Sequence, residues 1–328
     1  MMSPTLISFA SGLVSALLFM SGTTGTGLGA VLMTLSPLPL FIAGLGFGLR
    51  GGLMSTGIGV VLTGITLAGA APLFYFAFAA APALVLSYLA LLVRFYDNNG
   101  PAVQGAPRAE WFPVGGLILA AAGIASIAVA IVLSVAFGTA EQYEQTMRGA
   151  LEPLFETLAS QVTQGMPADD VAQLKARFLE QAVRVVPAVF GVSAMVVTLA
   201  NLWLGGYIAR RSGFLARPWI PLERLDYPKL TAAALLVAFL AGRGEGVVAL
   251  VGTAFTGTLV FAYFLLGAVS MITLTAGTVF RPFAVIAVIL SVILEPFAIF
   301  IAIFGLLESF MQLRAKKAAG ASGPAGTT

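Results

Sequence analysis

The sequence predicts an all-α fold: a polytopic transmembrane helix bundle of eight to ten membrane segments with an extramembrane helical hairpin. Three observations carry this. Of 328 residues 59% are hydrophobic and 9% charged, with mean hydropathy +0.99. The apolar runs are long enough to cross a bilayer. The basic residues gather in the connections between those runs. A soluble domain carries about 25% charged residues, so this chain cannot cover a water-facing surface, and membrane lipid is its first expected partner.

The chain has no histidine and no cysteine. That removes disulfides, thiolate and imidazole metal sites, Ser-His and Cys-His nucleophiles and histidine proton relays. No metal, cofactor or catalytic constellation is expected, and the chain is not read as an enzyme. The net charge of +3 and pI near 9.3 do not indicate nucleic acid, because the 17 basic residues are scattered between apolar runs.

The first charged residue is Arg50. Thr5 to Met33 reads as one long tilted helix, broken at Ser36-Pro37-Leu38-Pro39, where neither proline donates a backbone hydrogen bond. Met1-Met2-Ser3-Pro4 lacks the positive region of a signal peptide, so the run is read as mature protein. Leu40 to Leu49 is short for a crossing. Leu53 to Ala70 and Pro72 to Val93 read as an antiparallel pair, Phe112 to Phe137 and Val185 to Ile208 as single spans.

Three more apolar runs follow Tyr227: Leu230 to Ala241, Val247 to about Thr278, and Phe283 to Leu307. Arg94 and Arg108, the group Arg210, Arg211, Arg217, Arg224 and Lys229, and the group Arg314, Lys316 and Lys317 mark three cytoplasmic connections by the positive-inside rule. Lys229 and Arg314 on one side require an even number of crossings between them. Val247 to Phe280 is 34 residues, about 51 Å as a helix, so a break near Gly267 is expected, giving two short crossings or a re-entrant pair. Both termini then lie in the cytoplasm of a bacterial inner membrane.

Thr139 to Arg184 is the only sizeable hydrophilic segment. Thr139-x-x-Gln142 forms a capping box, and Tyr143, Met147, Leu151, Leu154, Leu158 and Val162 share a face. Gly165-Met166-Pro167 turns the chain into a second helix opened by Asp169 and Asp170. Its seven acidic residues suit the outer side. The expected organisation is 1–138 N-terminal membrane helices, 139–184 extracytoplasmic amphipathic hairpin, 185–312 C-terminal membrane helices and 313–328 disordered cytoplasmic tail.

Small residues repeat at spacing four in Ser8, Gly12 and Ala16 and again in Gly44, Gly48 and Gly52, the pattern that lets helix backbones approach closely. Intramolecular packing is the favoured reading. Among ionisable residues Glu295 stands out, flanked by more than ten uncharged residues on either side and followed by Pro296, because an ionisable group at membrane depth is costly and points to function. Arg281 is its nearest basic neighbour, but about 21 Å of helix separates them. Asn201 reads as a helix–helix hydrogen bond within an apolar span. Arg243 and Glu245 occupy an exposed Gly-rich turn. Trp111, Trp203, Trp219 and Tyr227 read as interface anchors.

Asn201-Leu202-Trp203 through Arg210-Arg211-Ser212-Gly213, the Leu266-Gly267-Ala268 step, Gly305-Leu306-Leu307-Glu308 with Leu313-Arg314, and the early Pro37-Leu38-Pro39 together resemble the YybS-like predicted bacterial membrane proteins. Glu308 stands where that pattern would carry Asp. The family is distantly similar to substrate-binding subunits of energy-coupling-factor vitamin transporters, which implies a core of about six helices with small-residue contacts. It carries over no substrate and no active-site residue. The expected function is therefore a transporter-like small-molecule-binding subunit working with partner subunits. A non-transporting envelope assembly or scaffold protein is the alternative.

Overall fold

The computed structural model describes residues 3–96, 108–160, 163 and 166–321. Six helices in it are long and apolar enough to cross a membrane, and three shorter apolar helices accompany them. Length and composition alone support about six crossings among the described residues, beside the eight to ten membrane segments expected.

Helix α1 (Pro4–Met20) is capped by Ser3, whose side chain accepts from the Leu6 N–H. The expected single helix to Met33 does not form. A 3-10 turn at Ser21–Thr24 leads to Gly25 at φ 67°, and Thr26 caps the short helix α2 (Gly27–Thr34) through the Gly29 N–H. A left-handed glycine beside a good N-cap ends one helix and starts another at little cost.

Helix α3 (Pro37–Thr66) contains a second reversal, at Gly48 with φ 70° and ψ −163°, a conformation open essentially to glycine alone. Its two halves fold onto each other, so that a Cβ on Gly52 would lie 3.5 Å from the Gly44 Cα. The Gly44, Gly48 and Gly52 series thus holds a hairpin rather than running along one helix. Ser8 and Gly12 of α1 meet the second half of α3: a Cβ on Gly12 would overlap the Ser55 carbonyl oxygen, and one on Gly51 would lie 3.2 Å from Ser8 Oγ. The third member of that series, Ala16, is buried.

Helices α4 (Ala71–Tyr75) and α5 (Ala81–Leu91) join through a π-helical turn at Phe76–Ala80. A two-stranded antiparallel ribbon then interrupts the all-α plan: β1 (Val93–Tyr96) pairs with β2 (Arg108–Trp111) in the register Val93↔Trp111, Arg94↔Glu110. Helix α6 (Val114–Phe137) leads to the hydrophilic hairpin. There α7 (Ala140–Ala159) lies against the start of α8 (Ala168–Arg211). Thr139 caps α7 through the Gln142 N–H, the Tyr143 hydroxyl donates to the Val183 carbonyl at 2.8 Å, and Lys175 pairs with Glu152. No break occurs at Arg184: α8 runs unbroken for 44 residues, with Pro187 buried inside it.

Helix α9 (Leu230–Ala241) precedes α10 (Gly246–Leu274), which is continuous, so the expected break near Gly267 is absent. Gly267 serves packing instead. A Cβ there would overlap the Ile301 carbonyl oxygen, and one on Gly305 would overlap that of Tyr263, so two backbones cross at that point. The interruption falls later, at Leu294 (φ −109°, ψ 90°), between α11 (Arg281–Ile293) and α12 (Glu295–Met311). Pro296, at the second position of α12, is tolerated because first-turn N–H groups lack helical partners anyway. The expected tail disorder does not hold for Leu313–Ala321, which forms α13.

Buried polar side chains staple the bundle. Ser15 Oγ donates to the Ser36 carbonyl at 2.6 Å and lies 2.8 Å from the Tyr75 hydroxyl. Ser126 and Thr258 join α6 to α10 at 2.8 Å. Inside lipid such groups find partners on neighbouring helices because water is absent.

Candidate functional site

The basic connections meet at one end of the bundle. Arg217 donates to the Ala90 and Phe112 carbonyls at 2.9 and 2.8 Å, closing the last turn of α5. Burial pushes its guanidinium below the ordinary arginine value. Phe47 beside the α3 reversal packs on Phe214 at 5.4 Å. Lys317 of α13 donates to the Leu274 and Ala276 carbonyls at 2.7 and 3.2 Å, so the ends of α10 and α13 are there too.

A buried ion pair ties this end together. The Glu308 carboxylate, 2% exposed, accepts from Leu313 N and Arg314 N at 3.0 Å each and from Arg314 Nε at 2.9 Å. Arg314 then donates to the Glu223 carbonyl at 3.2 Å and the Leu225 carbonyl at 2.6 Å. The C-terminal segment therefore holds the connector between α8 and α9 in place. Tyr227, at the end of that connector, donates to the Ala262 carbonyl at 2.9 Å, and burial raises its phenol far above the ordinary value.

Under this connector lies a cavity of about 450 Å³. Its walls are α6 (Val114, Leu117, Ile118), α8 (Val196, Leu199, Trp203), α10 (Phe261, Leu265, Val269) and the connector itself (Leu215, Trp219, Leu225). Among the described residues Arg217 is the one charged residue in the lining. Two further guanidiniums flank the mouth: Arg210 lies 5.5 Å over the Trp219 ring, and Arg211 lies 5.5 Å over Tyr207, which stacks on Trp203 at 5.9 Å. Neither arginine meets a carboxylate among the described residues. A second cavity, about 470 Å³, sits towards the hairpin end between Phe19, Pro37, Phe78, Val129, Tyr143 and Val186. An apolar void of this size with few polar groups is the usual form of a small-molecule site.

The structure does not gather the candidates singled out from sequence. Asn201 donates to the Thr34 and Val197 carbonyls at 2.9 and 2.8 Å, and its Oδ1 has no partner among the described residues. Arg243 lies 4.6 Å over Phe239 in the turn between α9 and α10, where Glu245 precedes the first residue of α10. Arg281 opens α11 and Glu295 opens α12, at opposite ends of a 13-residue helix. The Glu295 side chain lies outside the described residues. Sequence reasoning read Arg210 and Arg211 as topology markers and Trp203 and Trp219 as interface anchors, not as parts of a site. Part of the signal was present: Trp203, Tyr207 and Arg211 repeat at spacing four on one face of α8. The tie between Arg210 and Trp219 is tertiary and has no local signature.

A family model described as "Predicted membrane protein (DUF2232)" matches residues 13–309. No curated protein and no solved structure matches the chain.

Proposed function

The chain belongs to this family of predicted membrane proteins, and from that premise we propose that it is a transporter-like binding subunit of the bacterial inner membrane. It holds a small apolar or amphipathic molecule in the cavity at its basic end. The observation that carries this reading is the cavity itself, enclosed by three long helices and roofed by a connector that Arg217 and Arg314 pin to backbone carbonyls. The basic end faces the cytoplasm, as the positive-inside rule requires, and both termini lie there. Helices α11 and α12 are a re-entrant pair entering from that end, which makes the crossings even. Glu295, beside the break at Leu294, is the acidic group proposed to act in the membrane, with partner subunits supplying energy.

The test is binding. Purified protein is screened by thermal shift against metabolites, vitamins and lipids, beside Leu199→Trp, which fills the cavity. A ligand that stabilises the wild type and not Leu199→Trp supports the reading; stabilisation of neither counts against it. Because the chain lacks cysteine, single replacements at Ser160 and Lys316 report sidedness by impermeant maleimide labelling, and labelling of both from one side refutes the orientation.

A second reading, an envelope scaffold, draws on the hairpin, where Leu154, Leu158 and Met166 are 47%, 60% and 44% exposed. Loss of a co-purifying envelope protein on deletion of residues 139–184, with the bundle intact, favours it.

A further inference from the structure

The chemistry at the mouth of the basic-end cavity defines its occupant more narrowly. The walls are apolar apart from Arg217, and the structure commits that guanidinium to the Ala90 and Phe112 carbonyls. A free anion has nothing to pair with inside, and burying one unpaired is costly. At the mouth the situation reverses. Arg210 and Arg211 are exposed, the guanidinium carbon of each lies 5.5 Å from the centre of an aromatic ring, and neither is neutralised by a carboxylate among the described residues. A ring contact of this kind uses no N–H donor, and the Arg210 guanidinium donates no hydrogen bond among the described residues. Among the described residues Arg211 uses only its Nε, on the Tyr207 hydroxyl at 3.2 Å. A planar fork of free N–H donors matches the paired oxygens of a phosphate. Both rings lead to the cavity: Trp219 lines it, and Tyr207 stacks on Trp203, which lines it too.

An occupant that satisfies both halves carries an apolar chain and a phosphate bearing net negative charge. We propose that the cavity takes an acyl chain of an anionic phospholipid, with its headgroup phosphate held between Arg210 and Arg211. The proposal names the ligand class of the cavity and rests on the binding reading above.

Leu199→Cys places the only thiol of the chain in the cavity wall. Its alkylation rate by N-ethylmaleimide is measured for the full-length protein in micelles doped with phosphatidylglycerol or phosphatidylcholine, or with inorganic phosphate added. Phosphatidylglycerol is expected to slow labelling by about tenfold more than phosphatidylcholine, the scale of one or two charge-assisted hydrogen bonds. Arg210→Gln with Arg211→Gln removes that difference, each rate being taken relative to the same variant's lipid-free rate. Arg210→Lys with Arg211→Lys, which keeps the topology-setting charge, loses most of it. Equal protection by both lipids, unaffected by either double variant, overturns the headgroup assignment and leaves the binding reading standing. Protection by inorganic phosphate alone overturns the lipid. No protection by any probe overturns both.

Discussion

Replacing Arg314 by methionine keeps most of the side-chain volume and removes the charge. Glu308 is then left 2% exposed with two backbone N–H donors in place of three bonds and a counter-ion. Removing one partner of a buried pair costs about 3–5 kcal/mol. The lost bonds to the Glu223 and Leu225 carbonyls lie within the same network, so they are not added separately. At about 1.4 kcal/mol per decade, the folded-to-unfolded ratio falls between roughly a hundred- and a few thousand-fold. Equilibrium unfolding in mixed micelles, followed by circular dichroism, measures it. Glu308→Gln and the double variant complete a cycle, whose coupling energy is expected to exceed about 1 kcal/mol. Arg314→Met within about 0.5 kcal/mol of wild type, or strictly additive single effects, refutes the role given to this pair. A thiol introduced at Leu222 must also label faster in Arg314→Met, since the connector loses its tether.

Gly48→Ala forces a Cβ into a backbone region that L-residues avoid; a loss of about 1–3 kcal/mol, read as a lowered Tm, is expected, and an unchanged Tm shows that the α3 hairpin does not form. In the hairpin, burial first and the neighbouring Glu144 second raise the Tyr143 phenol above its ordinary 10.0. A folded value above the unfolded one means that its stabilisation is complete below pH 10 and is lost as pH rises towards the folded value. Tyr143→Phe is therefore expected to flatten the decline of Tm above pH 10, and an identical decline in both proteins contradicts it.

The spans were legible because apolar runs bounded by charge have one physical interpretation. Glycine was not, since the same residue permits either a turn or a close crossing. Gly48 took the first role and Gly267 the second, and only φ or the neighbouring backbone distinguishes them. The break at Leu294 was half visible, in Pro296. Its position could not be read, because a proline in the first helical turn marks a start as readily as a kink. The ribbon of β1 and β2 escaped notice because four-residue strands are too short for alternation to stand out. The cavity walls come from three helices and a connector spread between Val114 and Val269, so no local pattern announces them.

The length of α8 has a mechanical consequence. It passes without interruption from Lys175, paired with Glu152 in the hairpin, to Arg211, beside the Tyr207 ring near the cavity mouth. Near its middle it is pinched against α10, where Gly191 faces Ala254 and Thr258 and Ala188 faces Gly257. Taken as a pivot for α8 moving as one body, that pinch has arms of about 30 Å on either side. A five-degree tilt about it would swing the two extremities roughly 3 Å in opposite senses, so a displacement of the hairpin end would be mirrored at the two arginines of the other end.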